Sequence, residues 1–260
     1  MDYKEILFVK DGGIATITLN RPDARNALNL TIREEILHAL YDVISDESVK
    51  ALIITGKGKA FCGGGDVKTM GEGITAIGGR DRLRNLHRVI KTIFSMEKPV
   101  IMAINGPAMG VGFSLALLGD IIIASEKAKF GCSFVKVALV PDCGMMYLLP
   151  RQIGLVRAKE LFFTGKTINA EEAAEMGLVN RVVPADELEA NVKETAIELI
   201  EGPTKCIGMI KTFTHRGLWT DFDSFLEYDA MAQSISFQTN DHREAFQAFL
   251  EKRPAKFTGS

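Results

Sequence analysis

Twice in the first half of the chain an uninterrupted apolar run of strand length empties into a glycine-rich loop. Ala51-Leu52-Ile53-Ile54-Thr55 leads to the segment from Gly56 to Asp66, and Val100-Ile101-Met102-Ala103-Ile104 leads to Asn105-Gly106-Pro107-Ala108-Met109-Gly110. Apolar runs without polar alternation belong to parallel sheets covered on both faces, and such sheets need helical crossovers. Helical patterns stand where the crossovers require them, at about Arg80 to Phe94 and Val111 to Leu118. A third cycle follows as Ile121 to Ala124, then Phe130 to Ser133 and the helical stretches beyond Asp142. The expectation is an α/β core of stacked ββα turns, with the loops at the strand ends gathered on one side to build a site.

The rest of the chain fits around that core. Ile6 to Val9 and Ile14 to Leu19 read as a hairpin turning at Asp11-Gly12-Gly13, stopped by Arg21-Pro22-Asp23. Ile32, Ile36, Leu40 and Ile44, widened by Leu37 and Tyr41, predict a helix with Asn29 as its cap. After Val183-Pro184 the pattern turns helical, at about 187–200, 204–214, 222–238 and 242–250, with breaks at Gly202-Pro203 and Gly217. Aromatic residues gather in this last part, so it should dock against the core or another subunit. The expected division is a core over 1–195 and a helical region over 196–260.

At 260 residues and 47% hydrophobic, the chain can bury a large core, and a net charge of −2 provides no field to gather nucleic acid or anionic lipid. The charged start and the lack of a long apolar span predict a cytoplasmic protein with neither targeting segment nor membrane anchor. Cys62, Cys132, Cys143 and Cys206 form no CxxC pair and no zinc-type spacing with histidine. Reduced thiols that fill space are expected, and no metal.

In Lys59-Ala60-Phe61-Cys62-Gly63-Gly64-Gly65-Asp66-Val67-Lys68, three successive glycines allow main-chain N–H groups to approach a ligand closely, although a tight turn would use them equally well. In Asn105 to Phe113 a helix start can aim free N–H groups at negative charge. Neither loop carries a nucleotide-binding fingerprint.

Taken in order, Arg21-Pro22 with Asn26-Ala27-Leu28, Ala60-Phe61-Cys62 with Gly64-Gly65-Asp66, and Asn105-Gly106 with Gly110-Val111-Gly112 resemble the enoyl-CoA hydratase/isomerase (crotonase) superfamily. Gly165, Ala170, Gly177-Leu178-Val179 and the ending Phe249-Leu250, Lys252-Arg253, Phe257 extend the likeness over essentially the whole chain. The resemblance implies a crotonase-like spiral of ββα units, a helical C-terminal trimerisation region, assembly as a homotrimer or a hexamer made of two trimers, and an acyl-CoA substrate. CoA is then part of the substrate and no separate cofactor is expected. The superfamily's oxyanion hole maps onto the N–H groups of Gly65 and Val111, the latter at a position usually held by glycine. A thioester oxygen becoming an enolate needs fixed donors, each worth roughly 3 kcal/mol when well aimed. The implied CoA strip is Arg25, Ala27, Gly64, Asp66, Val67 and Lys68, with Lys256 and Phe257 from the tail. Arg25 and Lys68 are the phosphate partners expected, although either could be a solvated surface charge.

Hydratases of the superfamily hold their water with two glutamates, and the matching positions here are Ser114 and Phe134, neither a carboxylate. One acid remains, Asp142 in Val140-Pro141-Asp142-Cys143-Gly144, where isomerases of the superfamily place their proton-shuttling carboxylate. This segment, with Leu149-Pro150-Arg151, resembles most the phenylacetyl-CoA epoxide isomerase and enoyl-CoA isomerase group. The reading is therefore a 3-enoyl to 2-enoyl isomerase, with Asp142 as shuttle and Phe113, Ser114 and Phe134 at the acyl group, within fatty acid or aromatic acid degradation. Val140, Met145 and Met146 are expected to complete an apolar wall around Asp142. Its rival task is capping the helix that begins at Cys143. Asp66 and Asp120 are read as structural braces, and Cys143 as a poor nucleophile without a nearby histidine. The competing readings are a hydratase (a lyase) or ring hydrolase of the same superfamily, and a non-catalytic member that binds CoA or RNA.

Overall fold

A computed structural model of the chain describes residues 2–66 and 75–260, so Val67 and Lys68 lie outside the described residues. Strands β1 (Ile6–Asp11) and β2 (Ile14–Leu19) form the expected antiparallel hairpin around Gly12 and Gly13, both at positive φ. Strands β3 (Ala51–Gly56), β4 (Val100–Ile104), β6 (Ile121–Ser125) and β9 (Arg181–Val183) add on in parallel. Their order in the sheet is β1-β2-β3-β4-β6-β9. A smaller sheet, β5-β7-β8, comprises β5 (Ala108–Met109), β7 (Lys129–Gly131) and β8 (Thr167–Asn169).

The central strands are apolar throughout because both faces are covered. Ile17, Leu52, Ile54, Met102, Ile104 and Ile122 belong to the main core. This core also takes in buried residues of α1 (Leu30–Ser45), α2 (Ala76–Ser95), α3 (Val111–Ala116) and α4 (Met145–Ile153). On the other face Ile14, Ile53, Ile101, Ala103 and Ile123 pack against Leu188, Val192 and Ala196 of α7 (Leu188–Glu201). Each such side chain, fully buried, contributes about 1.5–3 kcal/mol.

Asn29 caps α1 as expected, accepting from the Ile32 N–H at 3.0 Å. The buried stripe of α1 departs from the expected one: Tyr41 and Ile44 are exposed, while Ala39 and Val43 are buried. A row of every fourth residue drifts around a 3.6-residue helix, so its last members leave the core and Val43 replaces Ile44. Glu35 is also buried in α1, where its carboxylate accepts the N–H groups of Lys4, Glu5 and Ile6 at 2.8–3.1 Å and pins the start of β1.

Beyond β7 the chain forms α5 (Leu155–Thr164) and α6 (Ala170–Glu175), then α8 (Thr204–Gly217), α9 (Phe222–Ser236) and α10 (Asn240–Glu251). The boundary expected at 195 and 196 falls inside α7, whose Ala196 is buried against the sheet; the helix ends at Gly202-Pro203. Among the described residues no helix is long and apolar enough to cross a membrane.

Candidate active site

Strands β3 and β4 deliver the two glycine loops to the same sheet end, and two buried or half-buried asparagines hold the first loop in shape. Asn26, fully buried in a left-handed conformation (φ 56°), donates to the carbonyls of Lys57, Ala60 and Phe61 at 2.8–3.2 Å and accepts from the Arg21 N–H at 2.9 Å. Asn105, at the end of β4, accepts from Gly56 N–H at 3.2 Å and donates to the carbonyl of Gly58 at 2.9 Å. Arg21 grips Asp66 at 3.2 Å, the bracing role expected of that carboxylate.

The second loop then docks edge to edge on the first. Cys62 N–H donates to the Pro107 carbonyl at 3.1 Å and Met109 N–H to the Cys62 carbonyl at 2.9 Å, a parallel bridge between Cys62 and Ala108. Two glycines permit this approach. A Cβ on Gly112 would stand 2.2 Å from the Cys62 carbonyl, and one on Gly64, whose φ is +106°, would stand 2.8 Å from the Met109 carbonyl. That same Gly64 position lies 3.7 Å from the Val111 nitrogen, so the two loops meet beside Val111.

Peptide planarity converts this scaffold into aimed donors. The Gly64 carbonyl accepts from Leu28 N–H at 2.8 Å, and in a trans peptide the next N–H, that of Gly65, points the opposite way, away from Leu28. The Gly110 carbonyl accepts from Phe113 and Ser114 at 2.9 and 3.1 Å, which turns the Val111 N–H back out of the start of α3. Val111 begins ordinary helix, as expected, because Gly110 takes the positive φ of 52°.

Asp142 arrives on a separate turn. Cys143 and Gly144 both adopt positive φ (53° and 83°), and the Asp142 carbonyl accepts from Met145 N–H and from the Ser114 hydroxyl, each at 3.0 Å. Ser114 lies one helical turn beyond Val111, so this bond ties the acid to the helix that presents the second donor. The capping alternative is not realised: the N-cap position of α4 is Gly144, without a side-chain cap. The Asp142 carboxylate is half-buried, and its Oδ1 is buried without a hydrogen-bond partner among the described residues. Burial pushes its pKa up, opposed by the Cys143 thiol, His87 of α2 and Arg33 of α1.

The remaining expectations divide. Phe134 is buried, its ring edge 3.7 Å from where Gly110 would carry a Cβ. Ser114 is fully buried, with its hydroxyl engaged on the Asp142 carbonyl. Phe113 points into the core, fully buried and 5.4 Å from the Phe130 ring, because a residue two positions into α3 faces the sheet side. Of the apolar residues expected around the acid, Met145 is buried while Val140 and Met146 are largely exposed. Arg25 is exposed in a left-handed conformation with its carbonyl holding Gly63 N–H at 2.7 Å, and the Ala27 carbonyl is held by Arg21.

Lys256 and Phe257 are not brought to these loops within the chain. Thr258 beside them is held by Lys50 at 2.8 Å, at the end of β3 opposite the glycine loop. The thiols are quiescent: burial pushes Cys62 up to about 12 and Cys132 to about 11, and Cys143 higher still. A cleft of about 540 Å3 between β2, β3 and α7 opens on the other face of the sheet and includes neither Asp142 nor the two donors.

Arg33 is the residue that sequence reasoning missed. It is 3% exposed, and its Nε and Nη2 donate to the Leu28 carbonyl at 3.1 and 2.9 Å while Nη1 reaches the Arg82 carbonyl at 3.4 Å. Four residues after a helix cap, an arginine in sequence reads as a solvated charge, and only the packing of α2 over α1 reveals otherwise.

Two glycine-rich loops that meet edge to edge at a sheet end, with the Asp142 turn tied to the helix that follows the second loop, belong to a crotonase-fold protein. The chain belongs to the enoyl-CoA hydratase/isomerase family, whose model matches residues 9–260. It is 38% identical over 261 residues to a probable enoyl-CoA hydratase of Rhodobacter capsulatus, covering 100% of both chains. It is 37% identical to the trans-2-decenoyl-[acyl-carrier-protein] isomerase of Streptococcus mutans, covering 100% of both. It is 35% identical to the 1,2-epoxyphenylacetyl-CoA isomerase of Escherichia coli, covering 98% of both. A solved enoyl-CoA hydratase subunit from Geobacillus kaustophilus superposes with a TM-score of 0.94 at 32% identity, covering 100% of both.

Proposed function

We propose that this enzyme is an acyl-CoA isomerase that moves a double bond from the 3- to the 2-position of an enoyl thioester. The observation that carries the reading is the desolvated carboxylate of Asp142, with one oxygen buried and unpartnered among the described residues and its main chain tied by Ser114 to the helix that begins at Val111. The positions where a hydratase would hold water with glutamates carry Ser114 and Phe134, and a serine hydroxyl already engaged is no general base.

In this reading Asp142 removes a proton from the α-carbon, and the electron pair moves onto the thioester oxygen held by Gly65 and Val111. The same proton returns to the γ-carbon of the dienolate, so no water is consumed and the acid ends as it began. Arg25, Ala27 and the segment Gly64 to Lys68 form the CoA strip, with Arg25 and Lys68 on its phosphates. The reading includes a homotrimer, or a hexamer of two trimers, supported by the apolar residues that α5, α9 and α10 leave exposed, among them Phe163, Phe222 and Phe249.

The test mixes the protein with a 3-enoyl-CoA and follows the ultraviolet absorbance of the conjugated 2-enoyl thioester, with Asp142→Asn alongside and the product weighed. Rising absorbance at unchanged mass, lost in Asp142→Asn, is expected. With a 2-enoyl-CoA offered in parallel, a product heavier by one water and no reaction of the 3-enoyl-CoA would instead make the enzyme a hydratase, in keeping with the name of the Rhodobacter relative.

A further inference from the structure

We propose that Arg33 is a positioning residue of the thioester-binding loop: its guanidinium, sealed against the Leu28 carbonyl, fixes the peptide plane that aims the Gly65 N–H and places a permanent positive charge beside the developing enolate. The inference rests on the enolate reading above. Its geometry is a relay of short bonds. Arg33 holds the Leu28 carbonyl through two nitrogens at 2.9 and 3.1 Å, Leu28 N–H holds the Gly64 carbonyl at 2.8 Å, and Leu28 and Gly65 form a parallel bridge. A shift of Leu28 would therefore swing the Gly64–Gly65 peptide and with it the donor.

The third bond of Arg33, to the Arg82 carbonyl at 3.4 Å, clamps α2 over the same loop. A scaffold for one carbonyl does not require a charge. A buried cation is costly unless a carboxylate neutralises it, and the hydrogen bonds of Arg33 go to main-chain carbonyls instead. Among the described residues no carboxylate pairs with it directly; Asp142 and Asp66 act on it from a distance, together with Arg82 and the Cys143 thiol. Among the described residues the groups facing Asp142 are Cys143 of its own turn, His87 of α2 and Arg33 of α1. An arginine beneath the loop thus favours negative charge on the thioester oxygen and on the base that must be ionised to begin.

The test compares Arg33→Met, which keeps the bulk and removes both clamp and charge, with Arg33→Lys, which keeps the charge alone. With a 3-enoyl-CoA, Arg33→Met should lose on the order of 10- to 100-fold in kcat with KM little changed. The acid limb of its pH profile should move to higher pH, and Arg33→Lys should recover part of both effects. A saturated acyl-CoA should bind all three proteins alike, while the Tm of Arg33→Met should fall modestly, because the Leu28 and Arg82 carbonyls lose their donor. Full kcat in Arg33→Met beside an inactive Asp142→Asn would overturn the inference while leaving the isomerase reading intact. So would a parallel fall of kcat, acyl-CoA affinity and Tm that Arg33→Lys does not relieve.

If the unaltered protein shifts no double bond, exchange of the α-protons of an arylacetyl-CoA into heavy water, followed by NMR, reads enolate formation directly. Slower exchange in Arg33→Met supports the inference and equal exchange overturns it. An unaltered protein that neither isomerises nor exchanges overturns the enolate reading and this inference with it.

Discussion

Asp142 keeps one carboxylate oxygen buried without a donor among the described residues, and burial raises its pKa from the ordinary carboxylate value, so the ionised side chain opposes folding at neutral pH. For a carboxyl with a raised folded-state pKa, stability is greatest below its unfolded value of roughly 3.9 and is lost as pH rises through the folded value. Asp142→Asn should therefore melt higher than the unaltered protein at pH 7, and the difference should close as the pH approaches 4 in thermal denaturation. Gly64 gives the opposite result. Alanine there must hold φ +106° with its Cβ against the Met109 carbonyl, at a cost of about 1–3 kcal/mol. Because the adjoining peptide carries the Gly65 donor, Gly64→Ala should also lose about 100-fold in kcat; unimpaired turnover would mean that this loop does not hold the thioester. The close approach at the glycines was legible because their residue type is a rare solution to a geometric problem. Arg33 was not, since its meaning lies in what α2 covers, and Phe113 was misread because adjacent residues on α3 face different surroundings.

The helix that attaches the C-terminal region to the core depends on one buried cation. Lys211 of α8 is 7% exposed; its Nζ lies 2.7 Å from Asp120 Oδ2 and donates to the carbonyls of Lys98 and Ile93. Asp120 Oδ2 also accepts the Val100 N–H at 2.7 Å, so the expected brace at the strand start serves α8 as well. One turn further on, His215 stacks on Phe94 with ring centres 4.1 Å apart. Lys211→Met should cost about 3 kcal/mol in urea unfolding by stranding Asp120, and adding Asp120→Asn should recover part of it. An additive double variant would show that the two groups do not act as a pair. Strands β1 to β4, the Asn29 cap and the helical tail could be read from the sequence because their signals are local. The exit of Tyr41 and Ile44 from the α1 stripe could not, because a fourth-residue row keeps its register with the core for only a few turns. The partner of Asp120 could not either, since Lys211 stands 91 residues away in a helix whose docking side has no sequence signature.

At the scale of the molecule, several of the most exposed apolar side chains among the described residues sit on helices. Val156 and Phe163 of α5, Phe222 of α9 and Phe249 of α10 are 73–82% exposed. Exposed apolar side chains of this size are what the proposed assembly would cover. Light scattering at micromolar concentration should give three or six times the mass of one chain, and dilution should lower the Tm. A strict monomer would refute the assembly. The positions of Lys256 and Phe257 belong to the same question. The resemblance placed them at the CoA strip, but within the chain Thr258 is fastened to Lys50, at the end of β3 opposite the loops they were expected to join.

The bridge between Cys62 and Ala108 carries a consequence of a different kind. In the proposed mechanism one donor rides on the loop of the six-stranded sheet, the other follows a strand of the small sheet, and the acid hangs from a third segment, so no stretch of fewer than about eighty residues would contain the chemistry. The site is a seam. Either sheet could keep its own hydrogen bonds while the seam parts by a fraction of an ångström, and the reaction would stop with the fold still standing. Catalytic silence in a variant of this chain therefore says little about whether it has folded.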